Sequence, residues 1–147
     1  MTLEKFIGPV LINDRFAING RSDEDFDWIW EIDPLEYLAT WIGDSGYSVR
    51  PLPDCEPEGI VILTDPENVT CGFYMDAQVW IDPDHRGRRL SIPMILEAAR
   101  ILGGSPVRDN DGCAVGFSLA GYSAHKAAHA YAVITAANAK TRARSKI

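Results

Sequence analysis

Val79-Trp80-Ile81-Asp82-Pro83-Asp84-His85-Arg86-Gly87-Arg88-Arg89-Leu90-Ser91-Ile92-Pro93-Met94-Ile95-Leu96-Glu97-Ala98-Ala99 is the stretch whose reading decides the fold. Val79-Trp80-Ile81 reads as the end of a strand, and Pro83, which has no N–H for a ladder, stops it. A basic turn follows, Arg86-Gly87-Arg88-Arg89. Beyond it Leu90, Met94, Ile95, Ala98 and Leu102 recur at helical spacing. Strand, glycine turn and helix together point backbone N–H groups at an anion, and the helix dipole adds to that pull. Three arginines in such a turn suit a phosphate-bearing ligand.

Upstream, Phe6 to Ile12 and Phe16 to Ile18 flank Asn13-Asp14-Arg15 and predict a β-hairpin. Asp33-Pro34 predicts a helix start, running through Leu35, Leu38, Trp41 and Ile42 to Gly43 or Gly46. Pro51, Pro53 and Pro57 mark a loop. Gly59 to Thr64 predicts a strand buried on both faces. After a turn at 65–68, Val69 to Ile81 predicts one long extended stretch, interrupted by Gly72 and bulged there. Downstream, the motif helix ends by Gly103-Gly104 and Ala114 to Leu119 forms a short strand. Ser123 caps an alanine-rich helix from 124 to about 140. This order fits a single domain over 1–147, of α/β or α+β class with a mixed sheet.

The charge is unevenly placed. Residues 1–84 carry 4 basic and 18 acidic side chains, while 85–147 carry 10 basic and 3 acidic, a net of −14 against +7. An acidic first half attracts a cationic substrate or partner and argues against broad nucleic-acid binding. No apolar run is long enough to span a bilayer, and the first residues lack the basic start and apolar core of a signal peptide. Cys55, Cys71 and Cys113 are odd in number and form no close pair. They read as reduced thiols, which places the chain in a cytoplasm.

Ile81-Asp82-Pro83-Asp84-His85-Arg86-Gly87-Arg88 resembles the pyrophosphate-binding motif of the GNAT superfamily of N-acetyltransferases, roughly V-x-P-x-x-R-G-x-G-x-G/A at a helix start. The resemblance implies a mixed, mostly antiparallel central sheet flanked by helices. It also implies acetyl-CoA or another acyl-CoA as co-substrate, with no metal. The acyl group would pass directly to an amine of a cationic small molecule or protein. Val79, Trp80 and Ile81 would pair with pantetheine, and Arg86, Gly87, Arg88, Arg89, Leu90 and Ser91 would hold the pyrophosphate. CoA would enter between this strand and the one containing Phe117. Arg89 stands where the motif has its second glycine, and Ser91 where it has its last small residue.

Two catalytic roles follow from the same resemblance. The family's second helix reads N-x-x-A-x-x-L-Y; here Ala127 and Tyr131 match, with Ala124 in place of the asparagine. Tyr131 would protonate the departing thiolate, and its alternative is a core aromatic on an alanine helix. Asp76, on the presumed CoA strand, would deprotonate the acceptor amine; its alternative is an exposed strand carboxylate. His125 and His129 lie one turn apart, a zinc-compatible spacing without further ligands nearby, and read as partly exposed helix histidines. Trp28 and Trp30 would share a face if extended, as an acceptor-pocket wall or partner surface. The chain ends before the family's last strands. The resemblance then implies an acceptor site that would be open, completed by a partner chain, or absent, and a homodimer is among the expected partners. The second hypothesis is a catalytically inactive GNAT-shaped binding or inhibitory protein acting through protein contacts. Arg89, Ser91 and the missing asparagine favour it.

Overall fold

The computed structural model describes residues 1–108 and 114–145, so Cys113 lies outside the described residues. It is a mixed α+β structure. A five-stranded antiparallel sheet is ordered β2-β3-β4-β5-β6, and β1 and β7 form a separate two-stranded parallel pair. The strands are β1 (Val10–Ile12), β2 (Thr40–Trp41), β3 (Ser48–Pro51), β4 (Val61–Thr64), β5 (Thr70–Met75), β6 (Gln78–Ile81) and β7 (Val115–Phe117). The helices are α1 (Leu3–Ile7), α2 (Asp27–Trp30), α3 (Ser91–Ile101) and α4 (Leu119–Ser145).

The period of two along β4 explains the layers. Val61 and Leu63 point into a core made with Phe6 and Ile7 of α1, Met94, Ile95 and Ala98 of α3, and Ala128 of α4. Ile60 and Ile62 point the other way, to Phe73, Met75, Leu52 and Ile29. Among the described residues no long helix covers that second face. It is closed by α2 and single 3-10 turns at Asp14–Phe16, Glu24–Phe26 and Pro34–Glu36. Asn13, Asp23 and Asp33 each start one of these turns, accepting a hydrogen bond from the backbone N–H two residues on, as short polar side chains do at turns.

The structure corrects several expectations. Residues 6–18 are not a hairpin. Thr2 caps α1 by accepting from Lys5 N, and Phe6 and Ile7 bury the helix's inner side. Gly8, at φ 72°, ends it, and β1 pairs in parallel with β7, Val10 opposite Val115. The helix expected from Asp33 lasts one 3-10 turn. Asp33 does cap it, but the carbonyls of Pro34 and Tyr37 accept from the buried Arg50 guanidinium at 3.2 and 2.7 Å. Those are acceptors that a continuing helix would use internally. Residues 69–81 are two strands rather than one: β5 and β6 form a hairpin around Asp76-Ala77, both at positive φ, which is the twist a two-residue turn needs. Its Gly72 is required by close approach, since a Cβ there would lie 2.7 Å from the Trp80 carbonyl oxygen.

Around the opening stretch the expectation and the structure agree. A 3-10 turn at Pro83–His85 stops the strand, α3 carries Pro93 in its first turn, and Gly103 and Gly104 follow its end. The last helix starts earlier than Ser123: Ser118 Oγ accepts from Gly121 N and supplies the cap. No helix among the described residues is long and apolar enough to cross a membrane.

Candidate functional site

A cleft of about 280 Å³ opens where β6 faces the first turn of α4. Val79, Trp80 and Ile81 form one wall, Ser118, Ala120 and Gly121 the other, and Ala17 and Ile18 lie beside them. Arg86 and Ser91, from the basic turn, stand at its rim. β6 is the last strand of its sheet, and β7 pairs with β1 instead of with β6. One backbone edge of β6 therefore has no strand partner among the described residues, which leaves it open to an extended ligand except at the Ile81 carbonyl, taken by Arg86.

Trp80 is held from several sides. Its Nε1 donates to Asp82 Oδ1 at 3.2 Å, the Arg86 guanidinium lies 4.5 Å from its ring centroid, and its far edge sits against Gly20. Asp82 also accepts from Arg21, whose Nη2 reaches the Thr70 carbonyl at 2.9 Å and whose guanidinium covers the Trp30 ring. The cleft wall is thereby tied to the 3-10 segment on the second sheet face. Arg86 Nε donates to the Ile81 carbonyl at 2.6 Å. Among the described residues its terminal nitrogens have no further partner, so they remain available to an anion.

The turn has a backbone shape that its side chains alone would not suggest. Gly87 has φ 81° and Arg89 has φ 59°, a left-handed conformation uncommon outside glycine. Leu90, just before α3, is buried, while Gly87, Arg88 and Arg89 are exposed. The turn thus divides two hollows. Arg86 and Ser91 border the cleft; Arg88 and Arg89 border a separate groove of about 290 Å³, floored by Ile42, Ile92, Pro93, Leu96 and Tyr131.

The two expected acid–base groups do not meet in the cleft. Asp76 is in the hairpin turn that precedes β6, not on the strand. Arg108 holds it through Nε at 3.0 Å and Nη2 at 3.2 Å. Tyr131 is half exposed and lines the groove. Among the described residues, Arg86 is the single ionisable one lining the cleft. Trp28 and Trp30 both fall in α2, where Trp30 packs edge-on against Phe73, so they share no extended face. His129 is partly exposed, as expected, with Nε2 2.8 Å from the Met1 carbonyl.

His125, expected to be partly exposed, is fully buried. Its Nδ1–H donates to the Gly121 carbonyl at 2.6 Å, so its Nε2, 2.8 Å from the Tyr74 hydroxyl, is the acceptor. The same hydroxyl lies 3.0 Å from the Pro106 carbonyl, and its one proton is shared between the two. Burial pushes the His125 pKa down to about 4, against the opposing pull of the Gly121 carbonyl. Burial likewise raises that of Tyr74. The histidine ties β5 and the 106 segment to the first turn of α4, one wall of the cleft. Sequence spacing gave no sign of this, because a lone histidine on an alanine helix looks the same buried or exposed.

Comparisons with protein-family models, with curated proteins and with solved structures found no match to this chain.

Proposed function

We propose that the chain holds an acyl-CoA-type ligand on a GNAT-like scaffold, with pantetheine along the unpaired edge of β6 and the pyrophosphate at the 86–91 turn. The observation that carries this reading is the cleft itself. An open strand edge, an apolar bed and a guanidinium with free donors converge where the turn meets α3. The left-handed Arg89 supports it, since glycine-like backbone stands where the motif has glycine. Binding is favoured ahead of catalysis, because among the described residues no lining side chain besides Arg86 is ionisable and Asp76 and Tyr131 stand elsewhere. A binding module that acts through protein contacts is the function this geometry supports best.

Direct acyl transfer to an amine is the second reading. The net −14 of residues 1–84 favours it, since that field draws cationic amines toward the chain. The acid and base would then be water or the substrate's own groups.

Calorimetry with acetyl-CoA and with CoA tests the ligand, and steady-state release of thiol across a panel of amines tests the reaction. Saturable binding weakened by Arg86→Ala, without thiol release, supports the binding module. Thiol release moves the second reading to first place. Absence of binding to either ligand removes both.

A further inference from the structure

The groove beyond Arg88 and Arg89 is separate from the cleft, and it shares only these two arginines of the 86–91 turn with the proposed ligand site. Its floor is apolar, made of Ile42, Ile92, Pro93, Leu96 and the Tyr131 ring, and its rim carries two arginines. Arg88 lies 5.8 Å from the centroid of Tyr47, and neither arginine is in an ion pair among the described residues.

Next to the groove the chain raises a knob. Between Pro34 and Trp41, three large apolar side chains stand in water: Leu35 is 66% exposed, Leu38 89% and Trp41 60%. So much apolar surface in a short segment marks an interaction site, and an exposed tryptophan is a favoured anchor. Glu36 adds an exposed carboxylate, free of ion pairs among the described residues. The knob is held in shape from within. The Arg50 guanidinium, only 5% exposed, takes the carbonyls of Pro34 and Tyr37, the Thr64 hydroxyl and the Asn68 side chain. A segment already fixed in this way loses little entropy on docking.

Knob and groove are complementary in chemistry: leucines and a carboxylate against an apolar floor and two guanidiniums. They are also neighbours, since Ile42 of the groove directly follows Trp41 of the knob. When each copy's knob enters the other's groove, the two contacts are related by a two-fold axis and the assembly closes at two copies. We propose that this surface is a homodimer interface, in which each copy seats Leu35 and Leu38 in the partner's groove and sets Glu36 against its Arg88 and Arg89.

The test is the mass of the full chain by light scattering and sedimentation, over micromolar to submillimolar concentration and at low and high salt. The expected species has twice the 16.2 kDa chain mass and dissociates more readily in high salt, which screens the rim charges. Leu38→Asp and Arg89→Glu each alter an exposed side chain, so both should melt as the wild type does. Each should weaken dimerisation by tenfold or more. Glu36→Arg combined with Arg89→Glu should recover much of that loss, because the swapped pair attracts again. A monomer at every concentration overturns the proposal. So does a dimer indifferent to both single changes, which would place the contact on another face. A double variant no tighter than Arg89→Glu alone also overturns it.

Discussion

Acidification should cost this fold stability through one side chain, His125. In the folded chain its Nδ1–H is committed to the Gly121 carbonyl, and its Nε2 faces the Tyr74 hydroxyl among the rings of Tyr74 and Phe117. Tyr74 is the titratable group in contact with it, and the Asp76–Arg108 pair lies beyond, at the surface. Burial holds the folded-state pKa near about 4, below the ordinary 6.5. The unfolded chain therefore takes up a proton first as pH falls, and stability declines between these two values. The contribution is fully present above about pH 6.5 and lost below about pH 4. At about 1.4 kcal/mol per pH unit, the gap is worth roughly 3 kcal/mol, a large part of the roughly 5–15 kcal/mol typical of a domain. Urea unfolding of the wild type and of His125→Gln across this range isolates the effect, since the carboxylates titrate alike in both. The wild type should lose roughly 3 kcal/mol more than the variant between about pH 7.5 and pH 4. Equal losses would refute the reasoning, as would a folded-state His125 resonance titrating near its ordinary value.

Three further outcomes are expected. Gly72→Ala places a Cβ 2.7 Å from the Trp80 carbonyl, a backbone atom that cannot retreat without opening the β5–β6 ladder; denaturant midpoints should show a loss on the order of 1–3 kcal/mol. Asp82→Ala strands Arg21 and the Trp80 indole N–H together. Its cost, read by thermal melting, should be on the order of 1 kcal/mol, moderated by the solvent around Arg21. In calorimetry with acetyl-CoA, Arg86→Ala should weaken binding by about tenfold or more, the worth of a charge-assisted bond. Tyr131→Phe, outside the cleft, should leave it unchanged.

What could be read from the sequence was what repetition makes redundant. β4 is apolar at successive positions because both sheet faces are covered, and α3 repeats its apolar residues over several turns. Single interactions were not legible. Arg50 ends the helix that Asp33-Pro34 begins, from a position well downstream. Asp76-Ala77 turns a chain that lacks the usual Asn-Gly or Asp-Gly signal. The candidate site was legible in part for the same reason. The strand–turn–helix pattern located one wall and the rim, whereas Ser118, Ala120 and Gly121 reach the cleft only through tertiary packing. Tyr131 was placed by two matching helix positions and Asp76 by its place on a presumed strand, and one step around a helix or past a turn directs a side chain to another surface.

The parallel pairing of β1 with β7 sets a schedule for synthesis. Val10 pairs with Val115, so β1 leaves the ribosome about a hundred residues ahead of its partner, a wait of roughly 5–20 s at typical elongation rates. The meander from β2 to β6 joins strands that are near in sequence and can pair as they emerge. During that interval Leu11 and Ile12, apolar and still largely exposed in the finished fold, stand on an unpaired strand. The nascent chain is then most open to capture by a chaperone or to pairing with a neighbouring chain.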